Sequence, residues 1–528
     1  MTITDFKSRR DLVLQLEKAR KADGHDPVNI KLPERGVLEV YPASVRYFSR
    51  GGVFLAGNYN QRNALFILGE ASLKVMERYH GQVIYEHSDF VVKKCRLTRS
   101  VVRQLRSDFP FCAPTAPGNG GISVAFGDVI GLAAKAQILA FTGKSDLTFS
   151  RQCIHQLTRM EFQPEDALDS ITWAVFQTGY ENGYAAEACQ LTNPGNVEEV
   201  LDAGYTRLSL EPEDPCLFEY RDASKRELLE QMFEVDWIAL RDKFELMFNR
   251  YIGRRLEMGV ADPAEPDEQA EPLVIIPSEK EVLAAIRIFS DSILQMVEME
   301  QVLTRRVNRE DVILEASFSR SDVILTPFEH YFVMNELLRR DIHPDYFAPG
   351  KITPEHARVA HYLGGYGLSG PVDFDEEDSD NDMNVRQHRI YPDISYVTAM
   401  KCLAVDKPEL FRQIWEKSRY RFEDARVENG SKLKIQKIPS TEQYSDDALQ
   451  QLMESDYAEE FLTMTMGAVM TDRDRHGNRH LRQQLYDYLI GHEPAYTGAL
   501  MKIYSAWART WEENFSKKRI KKPDHRSG

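Results

Sequence analysis

No stretch of eighteen apolar residues occurs in the chain, so the sequence offers no candidate for a membrane-spanning helix. The first residues, MTITDFKSRRDLVLQLEKARKADGHD, are charged throughout and lack the apolar run of a signal peptide. Cysteine is sparse. The six, Cys95, Cys112, Cys153, Cys189, Cys216 and Cys402, contain no C-x-x-C pair, which opposes a zinc ribbon and gives no disulfide framework. Together these absences set the expectation of a cytoplasmic protein with reduced thiols and no membrane partner. Positive charge is also in deficit: 66 Lys and Arg stand against 82 Asp and Glu, a formal net charge of -16. That balance opposes nucleic-acid binding, which needs a surface able to neutralise phosphates. Only the tail SKKRIKKPDHR (516–526) is strongly basic, and it reads as a solvated terminus with no assigned partner. AFGDVIG is glycine-bearing but has neither the Walker phosphate-loop pattern nor the dinucleotide G-x-G-x-x-G, and GGYGLSG lacks the order of a nucleophile elbow.

What is present is an ordinary globular composition, 42% hydrophobic and 28% charged over 528 residues, enough for one large core with additions or for two to three domains. DLVLQLEKARKA (11–22) has the spacing of a short amphipathic helix. GVLEVYPASVRYF, GVFLAGN and GQVIYEHSDFVVKKCRL carry β-branched and aromatic strand signals. An N-terminal α+β region over 1–115 follows. Strand-like and helix-like segments then alternate from ISVAF through REDVILEASFS, which predicts a βα-repeat core over 116–397. Two acidic stretches interrupt it, ADPAEPDEQAEP (261–272) and DFDEEDSDNDMN (373–384). Both read as surface loops, since the glycine and spacing of an EF-hand are missing from the second. Between them PSEKEVLAAIRIF restarts a long helix with capping-box spacing at Ser278 and Glu281. Residues 398–515 are predominantly helical in pattern, and 516–528 form the basic tail.

Glu329 and His330, adjacent and just past Pro327, invite an acid/base reading. Thr326, Pro327 and Glu329 nevertheless fit N-cap, N1 and N3 of a helix, where a glutamate satisfies the cap amide and opposes the helix dipole. Capping is therefore the expected role of Glu329, and packing or hydrogen bonding that of His330. His356 and His361 follow a second cap, TPEH, at a spacing that does not share a helix face. His476 and His480 flank Gly477 and Asn478 without the H-E-x-x-H glutamate, as in a charged loop.

Seven runs in preserved order, AFGDVIGLA, DALDSITWAVFQTGYENGYAAEA, AGYTRLSLEP, TPFEHYFVMNELLRR, HRIYPDISYVTAM, DKPELFRQIWEKSRYRFEDAR and EEFLTMTMGAVM, resemble the tagaturonate/fructuronate epimerase family. Members of that family invert a hydroxyl-bearing carbon to interconvert two keto-uronates. The resemblance implies a (β/α)8 TIM-barrel-like core with its site at the strand C-termini. It also implies a divalent metal and a proton-moving or retro-aldol chemistry.

At the family's polar motifs this sequence departs. G-D-R-L-G falls on Gly127, Asp128, Val129, Ile130 and Gly131, and a following histidine on Gln137. S-[IV]-R-E falls on Cys153, Ile154, His155 and Gln156, and D-A-D-H on Glu187, Ala188, Cys189 and Gln190. V-D-E-T falls on Phe318, Ser319, Arg320 and Ser321, and L-H-S-G-S-D-K on Gly370 and Pro371. H-V-K-T-A-G keeps only His388. The resemblance thus assigns Asp128, His155, Glu187 and His388 as catalytic candidates and Arg159 and Arg320 as holders of a sugar acid's carboxylate. No metal ligands are assigned, because a cation at 320 and a proline at 371 stand where hard-cation ligands are expected. Two readings follow: a sugar-acid epimerase or isomerase with a rebuilt site, or a catalytically inactive homologue serving as a ligand-binding, regulatory or assembly module.

Overall fold

The computed structural model describes residues 2–3, 9–22, 27–32, 36–48, 52–59, 62–87, 90–116, 123–149, 153–212, 217–259, 272–318, 324–371, 385–390, 394–429, 438–455 and 457–515. Most of the acidic stretch 261–272, all of 373–384, and the basic tail lie outside them.

Alternation of side chains along the N-terminal strands builds a sheet with two buried faces. Its strand order is Thr2–Ile3, Val28–Leu32, Gly36–Val40, Val53–Asn58, Asn63–Glu70, Phe90–Arg96 and Gln82–His87, antiparallel except for the first pair, with Arg46–Tyr47 added beside Val53–Asn58. Val53, Leu55, Ala64, Phe66 and Leu68 pack with Leu12, Val13, Leu16 and Ala19 of the helix Arg9–Ala22. Their neighbours Phe54, Ala56, Leu65 and Ile67 turn the other way, into the core shared with the rest of the chain.

Eight parallel strands follow and close into a barrel. They are β1 (Ser123–Phe126), β2 (Asp146–Phe149), β3 (Tyr184–Leu191), β4 (Arg207–Leu210), β5 (Ile313–Ser317), β6 (Tyr346–Ala348), β7 (Gly367–Pro371) and β8 (Val385–Ile390). Each pairs with the next, and β8 pairs with β1. Helices alternate with most of them: α1 (Ala134–Phe141), α2 (Pro164–Thr178), α3 (Pro194–Ala203), α4 (Glu279–Arg306), α5 (Pro327–Leu338), α6 (Pro354–Tyr362) and, after β8, α7 (Ile394–Asp406). The connection from β4 to β5 also carries the helices Lys225–Gln231 and Phe244–Tyr251 and a two-stranded ribbon, Leu256–Met258 with Leu273–Ile275.

Local chemistry accounts for the helix starts. Ser278 and Glu281 cap α4 reciprocally, as their spacing predicts, and prolines hold the first turn of α2, α3, α5 and α6. Gly179 ends α2 at φ +65, where a Cβ would come within 2.2 Å of the Ala43 carbonyl oxygen, so the helix end sits directly on the Pro42–Ser44 turn of the N-terminal sheet. Further helices follow β8, ending in α8 (Glu493–Phe515), which packs on α1. Tyr504 meets Phe126 edge-on at 5.9 Å and Trp511 meets Phe141 at 6.4 Å.

One carboxylate ties these regions together. At the first turn of α8, Glu493 accepts hydrogen bonds from Asn63 of the sheet, Lys135 of α1 and Gln177 of α2, each at 2.9 Å, and from the Tyr41 hydroxyl at 3.2 Å. Lys135 also lies 4.0 Å from the Tyr41 ring centroid. Burial would raise the Glu493 carboxyl, but the Lys135 charge and the converging donors outweigh it and hold it below its ordinary value. A group depressed in the folded state contributes stability that is complete above its ordinary pKa of 4.5 and is lost as pH falls through the folded value. Glu493→Gln is therefore expected to cost roughly 3 kcal/mol at pH 7, the scale for breaking a buried ion pair. In guanidinium melts the gap from wild type should shrink well below pH 4.5; an equal gap at both pH values would refute the depressed carboxyl.

Candidate active site

Every second residue of a barrel strand faces the helices, and those residues are apolar: Val124, Phe126, Leu147, Phe149, Ala186, Leu208, Leu210, Leu314, Ala316, Phe347 and Leu368 all belong to the main core. The intervening positions are buried as well, but they include Thr148, Glu187, Arg207, Ser209, Glu315, Ser317 and Ser369. The barrel lumen is thus polar, where a purely structural barrel would fill it with branched aliphatics.

Arg207, the first residue of β4, lies between carboxylates on the two neighbouring strands. Its Nε donates to Glu187 Oε1 of β3 at 3.4 Å and its Nη2 to Glu315 Oε2 of β5 at 2.9 Å. Ser209, two residues along β4, donates to the other oxygen of Glu315 at 2.8 Å. The Tyr346 ring of β6 covers the guanidinium, 4.0 Å from Cζ to centroid. Arg207 is 1% exposed, and Glu187 and Glu315 are 0% exposed. Groups so fully desolvated persist only when paired and hydrogen-bonded, as these are. Towards the C-terminal end, β3 has a register shift between Ala188 and Leu191 with Gln190 left-handed at φ 57, and the buried Glu211 follows β4. A bulge with a strained non-glycine residue at a barrel rim re-aims side chains there.

Of the residues singled out from the sequence, Glu187 is brought into this network. Asp128 follows β1 and binds the amides of its own loop: Oδ1 accepts from those of Ile130 (3.0 Å) and Gly131 (2.8 Å), and Oδ2 from that of Ala133 (2.6 Å). Burial pushes its carboxyl up, against the pull of these amides. Asp128 therefore fixes the turn that leads into α1. Gln137 of α1, where the family resemblance expected a histidine, donates to the Gly127 carbonyl at 3.1 Å and the Tyr504 hydroxyl at 3.0 Å, holding α8 to the same turn. His155 and Arg159 lie in the short helix Ile154–Arg159 after β2, and His388 lies in β8 opposite Val124 and Gly370. Arg320 lies outside the described residues.

Sequence reasoning passed over Arg207, Ser209, Glu315 and Tyr346. The signal available was a charged or hydroxylated residue at alternate positions in TRLSLEP and VILEAS, strands otherwise apolar. The V-D-E-T correspondence at 318–321 begins directly after β5, which ends at Ser317, whereas Glu315 lies within the strand.

A divalent metal is implied by the resemblance, and the described residues do not fit one. None of them form a group of three or more His, Cys, Asp or Glu side chains placed to hold a metal ion. The facing carboxylates Glu187 and Glu315 already share a guanidinium. At about 4 Å and an effective dielectric constant near 20, each added unit of positive charge beside that guanidinium costs roughly 4 kcal/mol.

The tagaturonate epimerase family model matches residues 41–367 and 385–505. The chain belongs to the tagaturonate epimerase family. It is 23% identical over 502 residues to the tagaturonate/fructuronate epimerase of Thermotoga maritima, covering 86% of this chain and 96% of that protein. It also resembles the native crystal structure of the fructuronate-tagaturonate epimerase of Cohnella laeviribosi, with a TM-score of 0.74 at 21% identity over 91% of this chain and 96% of that one. For a glycerol complex of the same protein the TM-score is 0.75 at 20% identity, over 96% and 99% of the two chains.

The stretch of this family member that first suggests catalysis is scaffold. Thr326 caps α5, its hydroxyl accepting the Glu329 amide at 3.2 Å, while Glu329 accepts the Thr326 amide at 2.7 Å and forms a two-pronged ion pair with Arg221. His330 is fully buried in the layer outside the barrel, stacked on Phe347 at 4.2 Å and sharing a 2.7 Å hydrogen bond with Tyr366. Burial and the neighbouring His356 hold it well below its ordinary value, so it is neutral. His356 in turn caps α6, its Nδ1 accepting the Thr353 amide at 3.1 Å. Residues 474–479 form a loop ordered by Asp474, which also meets His480 at the start of the next helix. Thr326→Ala should lower stability by about 1 kcal/mol, the usual worth of an N-cap, and leave KM for any substrate unchanged; a change in KM without loss of stability would return this helix start to the active site.

Proposed function

We propose that this chain is an epimerase or isomerase acting on a keto-uronate or related sugar acid of the tagaturonate and fructuronate kind. Its active site would lie in and above the lumen of a (β/α)8 barrel. The observation that carries the reading is the polar lumen: two carboxylates and a guanidinium, buried on adjacent strands, in a chain matched along most of its length by the tagaturonate epimerase family.

Inverting a hydroxyl-bearing carbon requires a base to remove a proton and a positive group to stabilise the oxygen on which charge develops. The same two requirements hold if the carbon skeleton is opened by retro-aldol cleavage and closed on the other face. In this reading Glu187 is the lumen base and Arg207 supplies the fixed positive charge near it. His155 and His388 are the further candidates for moving a proton. Arg159 and Arg320 would hold the substrate carboxylate, the bidentate work to which guanidinium is suited. Asp128 would act as a positioning residue through the turn it organises. The regions 1–115, 116–397 and 398–515 would then act as flanking sheet, catalytic barrel and helical buttress, in a cytoplasmic protein.

Incubating the purified protein with tagaturonate, and separately with fructuronate, and following the sugar acids by NMR tests this. Interconversion is expected, with Glu187→Gln lowering kcat by about 100-fold or more, the scale of a lost general base. A folded, pure protein that turns over neither compound, with or without added manganese or zinc, would leave the non-catalytic binding module as the better reading.

A further inference from the structure

Outside the barrel a cleft of about 960 Å3 opens where the N-terminal sheet, α2 and the helix His480–Gly491 meet, a volume suited to a small organic molecule. The sheet side supplies Arg62 and Asn63, α2 supplies Asp169, Ser170 and Trp173, and the last helix supplies Asp487. Two of these residues carry polar atoms that the fold does not use. Trp173 is 8% exposed and its Nε1 donates to nothing among the described residues, and the buried Oδ1 of Asn63 accepts nothing there. Buried polar atoms are ordinarily bonded, so both mark spare capacity in one wall. The charges divide in the same way. Asp169 is paired with Arg106 and Asp166, also in the wall, with Arg99, each at 2.9 Å. At the mouth, the exposed Arg62 and Asp487 have no ion-pair partner among the described residues, Asp487 only accepting from Gln483 Nε2 at 2.9 Å.

This lining narrows the chemistry of an occupant. Three aspartates oppose a multiply charged anion, and Arg62 and Arg99 oppose an organic cation. A wholly apolar molecule would desolvate the charged mouth without bonding to it. Hydroxyl groups both donate and accept, so a polyol can satisfy carboxylates, an amide oxygen, an indole N–H and a guanidinium together, while its C–H surface meets Leu132 and Ile490. We infer that the cleft is a binding site, separate from the lumen, for a small polyhydroxylated molecule of the sugar-alcohol or sugar-acid kind, with Asp487 accepting its hydroxyls. The site adjoins two supports of the barrel. Gly131, in its wall, donates to Asp128 at 2.8 Å in the turn after β1, and Asn63 donates to Glu493 at 2.9 Å. Occupancy therefore braces that turn and the head of α8 together.

The test reads binding and stability, so it is decided separately from turnover on any substrate. Full-length protein is titrated by calorimetry with sorbitol and, separately, with gluconate, and melted in the presence of each. At least one of the two should bind once per chain with a Kd of about 1 mM or tighter, and raise Tm. Asp487→Ala should weaken that binding about 10-fold, the scale of one lost hydrogen bond to a charged group, and remove the rise in Tm. Trp173→Phe, which keeps a ring and loses the N–H, should weaken it as well, and Glu187→Gln in the lumen should bind as wild type does. A preference for gluconate that Arg62→Ala abolishes would assign the carboxylate to Arg62, and equal binding of the two probes would rest the site on hydroxyl recognition. Asp487 and Arg62 are exposed, so their variants decide the matter even if Trp173→Phe does not fold. No binding of either probe at about 10 mM would overturn the inference. So would binding that Asp487→Ala leaves unmoved, or that Glu187→Gln abolishes while Asp487→Ala retains it.

Discussion

The buried guanidinium of Arg207 is the constraint around which the barrel is organised. A charge 1% exposed requires anions within hydrogen-bonding reach, and β3 and β5 each supply one. Because side chains alternate along a strand, a slip of one residue in either strand would turn Glu187 or Glu315 out into the apolar layer and leave the cation unpaired. Hydrophobic burial on the outer faces of β3 to β5 favours the same register, with Ala186, Leu208 and Leu314 set against the helices. Inner charge and outer packing therefore specify one pairing, and they do so redundantly. The lumen has no need of an apolar filling to hold its shape.

Glu493 does on the outside what Arg207 does within. A carboxylate at the head of α8 gathers a lysine, an asparagine and a glutamine from three elements distant in sequence, and so fastens the N-terminal sheet, α1 and α2 at one point. Around that point the packing is apolar and continuous. Phe54 meets Phe109 at 5.1 Å, Phe109 meets Phe176 of α2 at 5.7 Å, and Phe126 meets Tyr504 of α8 at 5.9 Å. The turn after β1 is pinned from two sides, by Asp128 on its own amides and by Tyr486 on the Ile130 carbonyl at 2.6 Å. Rim residues borne on such a support keep their positions without help from a ligand.

Much of this was legible in the sequence because it is written in local chemistry. The caps at Ser278 and Thr326 need only residues three apart, and the strand Val53–Asn58 declares itself by period and composition. Glu329 beside His330 reads correctly as a helix start for the same reason. The lumen network is of another kind. Arg207 and Glu187 are 20 residues apart and Arg207 and Glu315 are 108 apart, and nothing near any of the three announces a partner. A lone charge in an apolar strand looks like an exposed position until the barrel closes and puts it inside.

The same division explains how a chain 23% identical to its relative keeps the family's form while its polar motifs differ. Outward-facing strand residues and helix caps contribute additively, each worth a kilocalorie or so, and apolar swaps of similar volume are tolerated singly. Lumen charges cannot drift in that way. Losing one partner of a buried ion pair costs more than most single substitutions, whereas exchanging a whole compensated set can be nearly neutral. A cation on β4 between acids on β3 and β5 is such a set, its three members holding one another in place across adjacent strands.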